Sequence, residues 1–335
     1  MLKRFFRPIA LMLAALLVAA VCFTVIIYKR TNNEGKSNVG DNALNASLKN
    51  KTEKPFCVLI IGKDKVSALA DVIMLAAFDK TEKSVCIVQI PRDTYAEYGN
   101  SSYFKINGAL RALGEEGMCS FFEDTMGIAI DGYISLDLEG FRAVVDTIGG
   151  VEMNIDRALK YSDPEQDLYI DLPSGKQTLN GKQAEMLVRY RSGYIRGDLD
   201  RLDIQKKFLA AFFLQLKEKI NPFSIYGIAS SVLPYLKTNI SASELISLGL
   251  SVMTVKTDSV RLATLPGEDA VSRISGGSFY VVSKKSAQEL LELYFGAESE
   301  SFDTDGLFLH PRLDSFKEIY EKRVENDTFS IDHLK

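Results

Sequence analysis

The chain has only two histidines, His310 and His333, both far toward the carboxyl terminus. A Ser-His-Asp or Cys-His nucleophile, or a histidine-rich metal site, has little to be built from. Chemistry must then come from carboxylates and arginines. Asp71 opens one apolar run and Arg92 follows the next, with the turn-like Asp79-Lys80-Thr81-Glu82-Lys83 between them. An antiparallel hairpin centred near residues 81 and 82 sets Asp71 roughly opposite Arg92. Asp64 lies just past the end of the preceding run, after Gly62. If that strand adjoins the hairpin, Asp64 and Asp71 flank one loop, and two carboxylates there could hold a divalent cation.

A second set lies further on. Arg189 and Arg191 stand two apart in VRYR, where a helix gives way to a loop, so an extended backbone points both the same way. Arg201 and Gln205, four apart, share one face of a long helix. Guanidinium forks match phosphate oxygens in a bidentate way. If the two sets face one another they form a pyrophosphate clamp with the metal on the other side. Any one of these residues taken singly is more often solvated surface, and the mixture also fits a phosphodiesterase. The residues by themselves reach phosphate chemistry with a metal and no further.

These groups need a framework. With 335 residues, 46% of them hydrophobic and 25% charged, the chain can build one large core or two modest ones. The balance of 40 Lys+Arg against 44 Asp+Glu gives no basic field for nucleic-acid binding, so any anion site is local. Segments 56–62, 71–78 and 84–90 are short and apolar, bounded by turn residues, which predicts strands buried on both faces of a covered sheet. Residues 107–114 and 119–126 read as helical, 132–136 as a strand, and 138–148 as an amphipathic helix stopped by Gly149-Gly150. Helices over 181–190 and 198–220 follow, the second with a broad apolar face of Phe208, Leu209, Phe212, Phe213 and Leu216. Beyond them come a helix (243–254), strands (260–265 and 279–282) and a helix (286–295), an α/β alternation without internal repeat.

The ends differ in kind. Residues 1–7 carry Lys3, Arg4 and Arg7 without an acid, and residues 8–28 run without a charge. That is a transmembrane pattern, about 30 Å long as a helix. The bulky stretch 23–28 favours an uncleaved anchor over a secretory signal, with 1–7 as a cytoplasmic stub. Residues 29–54 have the composition of a flexible linker, 55–297 make the folded domain, and 298–335 read as a C-terminal tail or late extension, acid-rich at its start, in which 314–324 could form a helix. Cys57, Cys86 and Cys119 read as buried thiols, with one Cys57–Cys86 bridge left as an alternative.

From residue 56 to about 216 the sequence resembles the LytR-CpsA-Psr family. VLIIGKD, ADVIMLAAFD, VQIPRDTY and FKINGAL stand in order where the family has its GtD, SDTIM, SIPRD and DKINaA patterns. IDGYISLDLEGFRAVVDTIGGVEMNI and LPSGKQTLNGKQAEMLVRYRSGYIRGDLDRLDIQKKFL resemble its central helix and its distal block. The resemblance implies one amino-terminal span and a single extracytoplasmic α/β/α domain on a central mixed sheet. It implies that Asp64 and Asp71 coordinate Mg²⁺ on a pyrophosphate, while Arg92, Lys105, Arg189, Arg191, Arg201 and Gln205 hold that pyrophosphate and its first sugar. It also implies a polyprenyl chain in an apolar groove, which Phe208, Phe212, Phe213 and residues 232–236 could line, although they serve equally well as core. The implied activity is transfer of an anionic glycan-phosphate, as in teichoic acid or capsule attachment, from a polyprenyl-pyrophosphate carrier to peptidoglycan at the cell membrane. Electrostatic stabilisation would do most of the work, with Asp71 or Asp93 taking the acceptor's proton. Two positions depart from the pattern: Leu69 stands where the family commonly has arginine, and Val72 where it has threonine. Lys63 or Lys65 is a candidate replacement for the missing cation. The departures keep a polyprenyl-pyrophosphate hydrolase and a non-enzymatic lipid-glycan binding protein as alternatives.

Overall fold

Three consecutive apolar segments form the centre of the computed structural model, which describes residues 54–63, 68–99, 104–164, 168–190, 192, 198–219, 233–272, 276–297, 314–325 and 327–331. They are strands β1 (Phe56–Lys63), β2 (Ala70–Asp79) and β3 (Ser84–Ile90), buried along nearly their whole length. The expected anchor over 8–28 and the linker up to residue 53 lie outside the described residues. No helix among the described residues is long and apolar enough to cross a membrane.

After β3 come a 3₁₀ turn at Ile106–Gly108, helix α1 (Ala109–Met126), β4 (Gly132–Leu136) and α2 (Leu138–Thr147). Next are β5 (Val151–Ile155), β6 (Leu159–Asp163), β7 (Leu168–Leu172), β8 (Gly175–Leu179), α3 (Gly181–Arg189) and α4 (Asp198–Lys219). The chain then runs through β9 (Leu236–Thr238), α5 (Ala242–Thr254), β10 (Val260–Thr264), β11 (Gly267–Val271), β12 (Ser278–Val282), α6 (Lys284–Phe295), α7 (Asp314–Glu321) and β13 (Phe329–Ser330). Seven strands make one mixed sheet in the order β13-β10-β3-β2-β1-β4-β9. The β1–β4 and β3–β10 pairs are parallel and the rest antiparallel.

Because strand residues alternate between faces, the sheet buries two cores. One face packs Val58, Met74 and Ile87 against Phe141 of α2, Leu187 of α3, Phe208 and Phe212 of α4 and Leu248 of α5. The other packs Leu59, Leu75 and Val88 against Phe122 of α1 and Leu290 and Leu291 of α6. That is the three-layer α/β arrangement the resemblance implies. Local signals agree with it: the Asp137 side chain accepts from the Gly140 N–H to cap α2, and Asn180 with Gln183 forms a capping box on α3.

Several expectations need correction. The two helices expected at 107–114 and 119–126 are present as two helical segments within Ala109–Met126, α1, broken at Gly114 with φ 72° and ψ −179°; only their bounds change, the second beginning before residue 119. The stretch between the Gly149-Gly150 turn and α3, left without elements by the sequence, holds two small ribbons, β5 with β8 and β6 with β7. For residues 298–335 the described part supports the extension rather than the tail, with a helix at Asp314–Glu321 inside the expected 314–324. Among the described ones, Phe316 of α7 joins an aromatic cluster with Tyr95 and Phe279, β13 pairs with β10, and Ile331 is fully buried. Cys57 and Cys86 both pair with Ala77, from opposite sides. They stand two strand spacings apart, roughly 10 Å, too far for a disulfide. All three described cysteines are buried thiols with no disulfide among them.

Candidate functional site

The hairpin register in which Ile73 faces Ile90 and Asp79 faces Ser84 carries on to bring Asp71 to Arg92. Arg92 Nη1 donates to Asp71 Oδ1 at 3.0 Å, with side chains only 2% and 4% exposed. A bulge aims the carboxylate. Val72 pairs with Gly62 and Ala70 with Lys63, so Asp71 is the extra residue on β2, where a bulge redirects a side chain. Arg92 is fixed from its backbone as well, since its carbonyl accepts the Asn107 N–H at 3.2 Å and Thr94 N–H closes onto Pro91 O at 2.9 Å.

Next to this pair the structure joins two more of the expected residues. Lys105 Nζ lies 3.1 Å from Asp93 Oδ1 and 5.5 Å from the centre of the Phe279 ring. An isolated bridge between Tyr95 and Lys105 holds the two segments together, and Asp93 O accepts the Tyr280 N–H of β12 at 3.0 Å.

The second set is assembled by helices. Arg189, buried in the last turn of α3, donates from Nη1 to Glu185 Oε1 at 2.6 Å, and Arg142 Nε holds the other oxygen of that carboxylate. Gln205 Nε2 donates to Val188 O at 3.1 Å, fastening α4 to the end of α3. Arg201 and Gln205 are both buried. Lys206, 3% exposed, pairs with Asp203 at 3.1 Å and with Asp327, whose second oxygen accepts the Thr264 N–H at 2.8 Å. Thr264 ends β10 and pairs in register with Gln89 of β3. This clamp seats α4 over the carboxyl end of the two strands, the end from which Arg92 emerges. A cavity of about 140 Å³ lies there, lined by Asp203, Thr264, Tyr280, Glu325 and Asp327 among others. Asp64 and Arg191 lie outside the described residues.

Glu185 is not among the residues expected from sequence, although its spacing of four from Arg189 on a helix is a signal for an ion pair. Nor is the Lys206–Asp327 clamp, which has no local signature. Leu69 and Val72 are buried hydrophobic residues, so neither replaces the polar groups of the family pattern. Lys63 is engaged with Glu115 at 3.7 Å, a carboxylate that Lys237 holds at 2.8 Å. Lys65 lies outside the described residues.

For a metal, Asp71 is the described member of the expected carboxylate pair. No cluster of three or more His, Cys, Asp or Glu occurs among the described residues. Mg²⁺ ordinarily takes one or two carboxylates and completes its shell with water and substrate phosphates, so a hard oxygen donor at this position suits it. At the other end of the sheet, an apolar cavity of about 40 Å³ is lined by Phe56, Ala76, Val85, Leu209, Phe213 and Leu248 among others. Phe208 and Phe212 are core: Phe208 contacts Phe141 edge-on and stacks on Phe212.

The model of the LytR_cpsA_psr family matches residues 21–294. The chain is 27% identical over 230 residues to the polyisoprenyl-teichoic acid–peptidoglycan teichoic acid transferase TagV of Bacillus subtilis, covering 66% of this chain and 58% of that protein. Its fold is similar to that of protein gbs0355 from Streptococcus agalactiae, with TM-score 0.66 and 22% identity over 82% of this chain and 96% of that one. It is also similar to TagT bound to LIIa-WTA, with TM-score 0.59 and 25% identity over 73% and 92% of the two chains. The chain spans about half the length of the curated relatives it matches.

Proposed function

The chain belongs to the LytR-CpsA-Psr family, and from that premise we propose that it transfers an anionic glycan-phosphate from a polyprenyl-pyrophosphate carrier to peptidoglycan in cell-wall biogenesis. The observation that carries this reading is the buried Asp71–Arg92 pair; it is supported by α4, whose Lys206 is tied through Asp327 to Thr264 at the same end of the sheet. The relatives support it by name, as teichoic acid transferases acting between a polyisoprenyl carrier and peptidoglycan.

In the proposed reaction an acceptor hydroxyl oxygen forms a bond to the phosphorus next to the glycan. The bond from that phosphorus to the bridging oxygen breaks, and polyprenyl phosphate leaves with the electron pair. Arg92, Lys105, Arg189, Arg191 and Arg201 offset the charge that builds on the pyrophosphate oxygens. Asp71 acts through Arg92, holding the guanidinium in one orientation. We assign the hydroxyl proton to Asp93, the more exposed of the two acids, which Lys105 steadies at 3.1 Å. Asp71, together with Asp64, would hold Mg²⁺, which when bound supplies further neutralisation of the pyrophosphate. An anchor over residues 8–28 would keep the site near a donor confined to the bilayer, and the apolar cavity beneath α4 and α5 would take part of the prenyl chain.

The test uses the full chain in detergent with a labelled short-chain prenyl-pyrophosphate glycan and peptidoglycan, with and without Mg²⁺. Metal-dependent appearance of label in the wall, abolished in Asp71→Ala and Arg92→Ala, is the expected result. Label released to water without entering the wall would identify a hydrolase. Tight donor binding without turnover in the wild type would leave a binding protein, as the Leu69 departure allows.

A further inference from the structure

Gln89 is 2% exposed, and neither its carboxamide oxygen nor its nitrogen has a hydrogen-bond partner. An amide buried in that state is unfavourable by about 1–3 kcal/mol relative to a satisfied one, so both atoms require an explanation. The residue precedes Ile90-Pro91-Arg92 at the carboxyl end of β3. Alternation along β3 puts it on the face of Val85 and Ile87, the face that α4 covers, beside its register partner Thr264. Thr264 lines the polar cavity of about 140 Å³, so that cavity starts one strand spacing from Gln89. Asp203, Glu325 and Asp327 also line it, the two aspartates being engaged by Lys206. Gln205 Oε1 on α4 and Asn107 Oδ1, bonded through its backbone to Arg92, are likewise buried acceptors without partners.

The chemistry of these atoms selects the ligand. A pyrophosphate only accepts hydrogen bonds, so the orphan carbonyl oxygens of Gln89, Gln205 and Asn107 offer it no donor. A sugar hydroxyl donates to an acceptor and accepts from an amide N–H, which is what a carboxamide with both ends unsatisfied and an acceptor-rich cavity can use. We propose that Gln89 and the cavity beside Thr264 form a sugar-hydroxyl subsite next to the arginines, with Gln89 its specificity-determining residue. This rests on the transferase reading of the same site. The sugar could belong to the glycan donor or to the wall acceptor, and the experiment separates the two.

The full chain in detergent is titrated with two probes, a short prenyl pyrophosphate and the same compound bearing one sugar on the terminal phosphate. KM for peptidoglycan is measured alongside. Gln89→Leu is close to isosteric and removes the orphan groups, so its Tm should equal or exceed that of the wild type. Thr264→Val, at the cavity wall, is the second variant. The expected result is a loss of roughly tenfold or more for the sugar-bearing probe in both variants, with the sugar-free probe unchanged within about twofold. Unchanged affinity for both probes with a comparable rise in the acceptor KM supports the same subsite and assigns it to the acceptor. Equal weakening for both probes, a lowered Tm in Gln89→Leu, or no change in any quantity overturns the subsite while the transferase reading stands. Failure of the wild type to bind even the sugar-free probe overturns that reading and the subsite with it.

Discussion

Arg92 and Lys206 are both buried cations at one end of the sheet, yet Arg92 finds its carboxylate 21 residues away across a hairpin, and Lys206 finds Asp327 at a separation of 121. The first pair is fixed by strand register, so it forms when β2 and β3 zip together. The second closes only after the chain has built β10 and returned through α7, the slower kind of contact in folding. The pairs also differ in burial. Asp71 and Arg92 are both almost wholly out of water, whereas the Asp327 side chain is 44% exposed and Lys206 keeps Asp203 as a second partner. One half of the site is therefore set rigidly by the sheet. The other half, α4 with Arg201 and Gln205, is tied down from the far end of the chain and can loosen while the sheet stays intact.

The strongest way to break this contrast is to remove Arg92. Arg92→Ala leaves Asp71 buried without that partner, and the expected loss is about 3–5 kcal/mol in denaturant unfolding. Replacing both members, Asp71→Leu with Arg92→Met, should restore most of that stability, because a packed apolar pair needs no desolvation. Wall-transfer activity should remain absent in the double variant, which separates folding from chemistry. If Arg92→Ala costs no more than a surface substitution, the hairpin pair is not the rigid half. Next in size is Asp327→Ala, which removes the long-range clamp. Given the exposure of that carboxylate, about 1 kcal/mol is expected. Hydrogen exchange sharpens the point: amides of α4 should lose protection while those of β2 and β3 keep theirs. Equal loss in both would make the site one cooperative unit.

The same contrast governs what the sequence could show. The hairpin was legible because turn residues fix its centre, and the register then sets Asp71 against Arg92 by position alone. Strand 132–136 and the long helix expected over 198–220 were legible from period and breakers; the helix is described over Asp198–Lys219. Asp327, Phe316 and Ile331 were not. They sit in an acid-rich polar stretch, and what makes them structural is β10, Lys206 and an aromatic cluster supplied from far along the chain. The ribbons between residues 151 and 179 escaped because their strands are five residues long, with exposed polar positions that resemble turns. Gly114 was legible as a break because glycine commonly ends a helix, and a second helical segment follows it. For Gln89, the amide itself was visible in VQIPRD, but that its two ends lack partners is a property of packing alone.

A third ionic group tests whether the rigid half extends across the sheet, with the smallest expected effect. Glu115 of α1 lies between Lys63, at the end of β1, and Lys237 of β9. Burial pushes its carboxyl up, but the hydrogen bond from Lys237, a backbone hydrogen bond and the charges of Lys237 and Lys63 together leave it below its ordinary value. A carboxyl depressed in the folded state binds fewer protons there than in the unfolded chain. Its contribution is therefore present above the ordinary glutamate range and is lost as pH falls through the folded value. Lys237→Ala should raise the Glu115 pKa, followed by NMR titration of its side chain, and flatten the dependence of unfolding on pH between about pH 5 and 3. At neutral pH the cost should stay under about 1 kcal/mol, as for a half-solvated pair. A Glu115 carboxyl that does not move when Lys237 is removed would mean that Lys63 is its principal partner. Lys63 would then be committed to α1 and could not replace the arginine that the family pattern commonly has at the position of Leu69.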